Sequence, residues 1–198
     1  MFTKISANKG IELFKEHAVE AIVKEYTQLD ESECCGPWKP WCYHTQTKEK
    51  SLRAVNLIKE KILGKINGRT CADVSTKRGY IPREDSSSPT ISIEALTANV
   101  VLDAYEYFDV AIFYLPGAYS NSDTFDEKIV RIKLEGEFVD IMCGVNLDHI
   151  PNIRFENGNK VLYLRIRKAL YGCIESALLW CDIYVNTLKE LGFVINPK

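Results

Sequence analysis

No apolar run in this 198-residue chain approaches the ~20 residues that a membrane-spanning helix needs, so a membrane partner is not expected. The opening Met1-Phe2-Thr3-Lys4-Ile5-Ser6 has no signal-peptide apolar core, and the expectation is an intracellular protein, cytoplasmic or nuclear. Internal repeats and low-complexity tracts are absent. So is any Cys-x-x-Cys pair, although there are seven cysteines. Cys34, Cys35, Cys42 and His44 lie close together, but no second ligand pair follows them. They read as free, mostly buried thiols and not as a zinc site. None of the three histidines stands in a context that would activate Ser87 or Ser88, which sets a serine-hydrolase reading aside. No Asp-Asp dipeptide occurs anywhere.

What is present is ordinary for a globular domain, with 46% hydrophobic and 26% charged residues. The length allows one domain with a real core or two small ones. The net charge of −2 hides an asymmetry. Residues 48–83 hold ten Lys or Arg against Glu49, Glu60 and Asp73, a local +7, which leaves −9 for the rest. A basic segment of this kind suits phosphate or nucleic acid, and it equally suits a solvated hairpin.

Along the chain, Ile11, Phe14, Ala18, Ile22, Tyr26 and Leu29 recur at three- and four-residue steps and predict an amphipathic helix over 9–30. Residues 31–47, with Gly36, Pro37 and Pro40, read as loop, clamped to the core by Trp38 and Trp41. Residues 54–62 and 65–72 read as a hairpin around Gly64, and residues 73–89 as loop. Ser92 is placed to cap a helix from Ile93 to about Tyr107, with Leu96, Val100 and Ala104 inward. The run from Asp109 to Leu115, rich in β-branched and aromatic residues and stopped by Pro116-Gly117, reads as a buried strand with Ala118-Tyr119 just past its tip. Residues 128–134 alternate as a strand, and 136–145 suit a short helix. Residues 155–166, broken at Asn157-Gly158, carry the clearest hairpin signal. A last helix is expected from Glu175 to Leu191, ended by Gly192. This mixed order points to an α+β fold.

Three segments then match something specific. Residues 168–180, Lys-Ala-Leu-Tyr-Gly-Cys-Ile-Glu-Ser-Ala-Leu-Leu-Trp, followed by Leu191-Gly192-Phe193, resemble the reverse transcriptase region of copia-type retrotransposon polyproteins. Pro116-Gly117-Ala118-Tyr119 resembles the turn after that family's first catalytic strand. Gly68-Arg69-Thr70-Cys71-Ala72 is similar to its fingers segment. The three occur in the family's order and cover roughly residues 47–198. The resemblance implies a partial right-hand polymerase, fingers plus an incomplete palm, over 48–198, preceded by an N-terminal helix and loop over 1–47.

It also implies roles. Arg69 would hold the nucleotide triphosphate, Gly117 and Ala118 would belong to the nucleotide-binding turn, Tyr119 would pack under the nucleotide sugar, and Tyr171 and Gly172 would face the incoming base. The family's partner is an RNA or DNA template-primer, and its cofactor is magnesium bridging the 3′ hydroxyl and the nucleotide phosphates. Magnesium is a hard ion that takes carboxylate oxygens. In the family, the first catalytic aspartate lies four residues before the Ala-Tyr pair, which puts Tyr114 there. A phenol with a reference pKa of about 10 is neutral and a poor magnesium ligand. Asp109 lies five residues earlier, an odd offset that on a strand puts it on the other face and ~16 Å away. The family's Asp-Asp hairpin is missing too.

The leading expectation is therefore a truncated, degenerate reverse transcriptase fragment with no intact catalytic residue, no bound metal and no RNA-directed DNA polymerase activity. The alternative is a non-enzymatic nucleic-acid-binding remnant using the basic segment 48–83. An uncovered strand at 109–115 would favour self-association.

Overall fold

The computed structural model describes residues 4–37, 51–61, 64–75, 90–112, 115, 117–123, 130–173 and 175–194. Trp38, Trp41, Cys42, His44, Ser87, Ser88 and Tyr114 lie outside them, as does most of the 73–89 loop.

A mixed α+β architecture is built on a seven-stranded sheet. Strand β1 (Lys4–Ser6) leads into helices α1 (Ala7–Phe14) and α2 (Glu16–Glu31). The short β2 (Cys35–Pro37) follows, then the hairpin β3 (Leu52–Glu60) and β4 (Ile66–Asp73). Helix α3 (Ile93–Tyr105), a 3-10 turn (Ala118–Asn121), β5 (Val130–Glu135) and α4 (Glu137–Val145) come next. A second 3-10 turn (Leu147–Asn152), the hairpin β6 (Arg154–Glu156) and β7 (Asn159–Ile166), and helix α5 (Ser176–Glu190) complete the order.

The local chemistry explains most of these elements. Gly64 adopts φ 73° between β3 and β4, and Asn157 and Gly158 adopt 50° and 80° between β6 and β7, which are the left-handed dihedrals that tight hairpins require. Ser92 caps α3, its Oγ accepting from the Ala95 N–H at 3.2 Å. Gly192, at φ 91°, ends the last helix, its N–H donating to the Lys189 carbonyl at 3.0 Å.

β4 takes one edge of β3 along Arg53 to Glu60. The other edge is shared by β1, opposite Leu57 to Lys59, and by β5, parallel to Leu52 and Arg53. β5 then pairs antiparallel with β7, whose far edge carries β6 and β2. Residues on both sides of the stretch 38–50 thus share one sheet. α2 and α4 pack against it, burying Ala18, Ile22, Tyr26, Val139 and Met142 with Ile58, Ile132, Leu134, Leu162, Leu164 and Ile166. At about 25 cal/mol per Å² of apolar surface, this layer supplies most of the stabilisation.

The end of α2 is tied to α4. The Asn146 side-chain amide donates to both oxygens of Asp30, at 2.9 and 3.2 Å. His149, fully buried, has Nε2 3.7 Å from Asp30, and neither ring nitrogen makes a hydrogen bond. Burial lowers its pKa from the ordinary histidine value, against the raising pull of Asp30 and Asp148.

Three sequence expectations need correction. The helix over 9–30 is two helices, broken at Lys15 with φ 48°, because α1 lies on β3, with Gly10 against Ile58, while α2 runs over β4. Residues 35–37 form an edge strand within what reads as loop. Its Pro37 is tolerated because β2 pairs on one side only. The largest correction is at 109–115. Asp109, Val110, Ala111, Ile112 and Leu115 are irregular and exposed, not a buried strand. β-propensity describes a half-buried surface, and among the described residues no strand pairs with this run. The preceding helix α3 exists as expected, but Leu96 and Val100 are exposed and none of its residues is buried.

Candidate functional site

β4 is an edge strand, pairing only with β3 among the described residues. Its outward N–H groups would be an open template for another chain, but two other segments occupy them. The Thr70 N–H donates to Glu25 Oε1 at 2.9 Å, from the side of α2. The Ala72 N–H donates to the Tyr171 carbonyl at 2.8 Å. The second bond needs Gly172: its φ is 90°, and a Cβ there would run into the Ala72 carbonyl.

This anchoring puts Tyr171 beside the basic face of β4. The Arg69 guanidinium stacks over its ring at 4.2 Å from the centroid. Tyr171 also meets Tyr119, with ring centroids 4.8 Å apart and planes inclined by 57°. Tyr119 is delivered by the 3-10 turn that starts at Gly117, which adopts φ 62°. Ser120 closes that turn, its N–H and Oγ both donating to the Gly117 carbonyl, at 3.0 and 2.7 Å. The turn is fastened to the chain just before Tyr171, because the Ala169 N–H donates to the Ser122 carbonyl at 2.7 Å and Asp123 bridges to Lys168.

The result is a cleft of ≈ 260 Å³ in which, among the described residues, Lys4, Lys59, Lys61 and Arg69 meet one carboxylate, Glu25. Gln28, Leu57, Asn67, Gly68, Gly117 and Tyr171 also line it. Burial pushes the Glu25 carboxyl above the usual range, with the Thr70 N–H and the Arg69 charge drawing it back. Four cations to one acid among the described lining residues give the cleft a positive bias that suits an anion, and an aromatic pair adjoins it. A larger cleft of ≈ 480 Å³ lies by Ser6, Asn8, Arg53, Asn56 and Glu135. There one cation meets one carboxylate, so it has no comparable charge bias.

Of the residues singled out in the sequence, Arg69, Gly117 and Tyr171 line the basic cleft, and Tyr119 backs Tyr171. Ala118 opens the 3-10 turn, and Gly172 positions Tyr171 from behind. Lys4, Glu25 and Gln28 were missed, because they arrive from elements that carry no local signal for a site. Lys59 and Lys61 had a weak one, the excess of base over 48–83. Cys34 and Cys35 are buried free thiols, and no cluster of metal-ligating side chains occurs among the described residues. No helix among them is long and apolar enough to cross a membrane.

Compared with known proteins, the chain matches no family model, no curated protein and no solved structure.

Proposed function

We propose that this chain is a polymerase-type fingers and palm core, related to copia-type reverse transcriptases, that holds the phosphates of a nucleotide or nucleic acid in the Arg69 cleft without turning them over. The observation that carries this reading is the meeting of three segments far apart in sequence. Arg69, the Gly117 to Tyr119 turn and the Tyr171-Gly172 turn converge on one basic, aromatic-backed cleft.

Each group has a task in that reading. Arg69 presents a planar fork of donors suited to two phosphate oxygens, while the lysines act as point charges. Tyr171 and Tyr119 stack a base or close the space under a sugar. In the related enzymes magnesium would supply charge neutralisation at the phosphates, and it needs carboxylate oxygens. By the resemblance, Tyr114 stands at the first metal-ligand position, and the sequence has no Asp-Asp pair. Glu25, the one carboxylate among the described lining residues, is engaged by the Thr70 N–H. Binding without phosphoryl transfer follows from these residues.

The test is a paired assay with a fluorescent primer-template. Fluorescence anisotropy should show binding that weakens steeply as salt rises, as phosphate contacts require. Primer extension with magnesium or manganese should give no product. Template-dependent incorporation would overturn the non-catalytic half of the reading, and a flat salt response would overturn the binding half.

A further inference from the structure

Residues 91–112 turn an unusual amount of apolar surface to solvent. Ile93 is 79% exposed, Tyr105 81%, Tyr107 94% and Ile112 96%. Leu96 and Val100 are exposed on one side of α3, Val101 and Leu102 on the other. A helix apolar on all sides normally lies in an interior, yet α3 buries no residue. Together with Ile91, Phe108 and Val110, these side chains expose on the order of 1,000 Å² of apolar area. The largest patch on a typical monomer is roughly 300–600 Å², and a standard protein interface takes about 800 Å² from each partner.

We propose that residues 91–112 form a self-association surface that packs against the same segment of a second copy of this chain. Area is the first argument, since the apolar area that the segment exposes, spread round α3 and along the chain after it, is of the order that one side of a stable interface takes. Charge is the second. The segment carries Glu94, Asp103, Glu106 and Asp109 and no Lys or Arg. That repels nucleic acid and anionic lipid, and it leaves an apolar protein surface as the occupant. A second copy supplies a patch of equal area in a two-fold, self-complementary contact. The same acids then meet like charges at the rim, so the dimer has a signature: association strengthens as salt screens them. This inference does not depend on what the Arg69 cleft binds.

Sedimentation velocity on the full chain, across protein concentration and salt, tests it. The expected result is a concentration-dependent dimer or larger species, more populated at high salt. Leu102→Glu with Ile112→Glu, at positions exposed in the single chain, should give a folded monomer by circular dichroism. Leu13→Glu, at an exposed α1 position outside the segment, should leave the mass unchanged. A monomer at every concentration and salt overturns the proposal. So does a dimer that persists in the double variant. Association that weakens with salt would point to acidic-on-basic contact with the hairpin of another copy, and would overturn the helix-to-helix pairing.

Discussion

The Arg69 guanidinium lies 4.2 Å from the centre of the Tyr171 ring, in a pair whose members are about a hundred residues apart. The contact sets the guanidinium over an aromatic face at the wall of the basic cleft. Lysine would keep the charge and lose both the fork and the stacking. Arg69→Ala should weaken binding of inorganic triphosphate about tenfold, in line with the loss of roughly 1.5 kcal/mol, the lower end for a charge-assisted hydrogen bond. Arg69→Lys should fall between alanine and the parent. Isothermal titration calorimetry at low salt reads both, and equal affinities for all three proteins would contradict the role given to Arg69.

Gly172 is the residue on which the Tyr171 position depends. Alanine at φ 90° is strained, and its Cβ would push against the Ala72 carbonyl and strain the Ala72–Tyr171 hydrogen bond. Gly172→Ala should therefore cost roughly 2–3 kcal/mol, measured as a lower urea midpoint at unchanged slope. Gly64→Ala is the comparison. Gly64 has φ 73° but nothing within 4 Å of its missing Cβ, so it should lose only the smaller backbone term.

Glu25 opposes the cations around it. Glu25→Gln keeps an oxygen to accept the Thr70 N–H and removes the one negative charge among the described lining residues. Phosphate affinity should rise several-fold in this variant, by the same titration. The pH dependence of its stability should differ as well. In the folded protein the carboxyl titrates above its unfolded value of 4.5, so the parent loses stability as pH rises through that higher range. The glutamine variant should lack this loss.

His149 gives the opposite slope in a different window. Its folded pKa is lowered from 6.5, so the unfolded chain takes up the proton first as pH falls. Stability is then complete above about pH 6.5 and declines as pH drops below it. Thermal melts between pH 7.5 and 5 should show this decline, and His149→Gln should flatten it. A parent protein whose melting temperature stays constant over that interval would contradict the buried, neutral imidazole.

The hairpins and the capped helices were legible because their signals are local. Asn157-Gly158, Gly64, Ser92 and Gly192 each dictate dihedrals or caps within a few residues. The 109–115 run was misread because its composition reports what a strand prefers, not whether a partner strand exists to pair with it. The break at Lys15 escaped for a similar reason: the apolar repeat runs through it unchanged, and only packing of α1 on β3 and α2 on β4 demands the turn. At the site, Arg69, Tyr119 and Tyr171 could be named from motif resemblance. Lys4 and Glu25 could not, since β1 and α2 reach the cleft only through tertiary contacts.

The most direct test of the account is calorimetric titration of inorganic triphosphate into the parent protein and into Arg69→Ala, at low and at moderate salt. A measurable affinity is predicted for the parent, falling steeply with salt and about tenfold lower in the variant. No heat of binding at low salt, or an affinity indifferent to Arg69, would contradict the assignment of this cleft to phosphate.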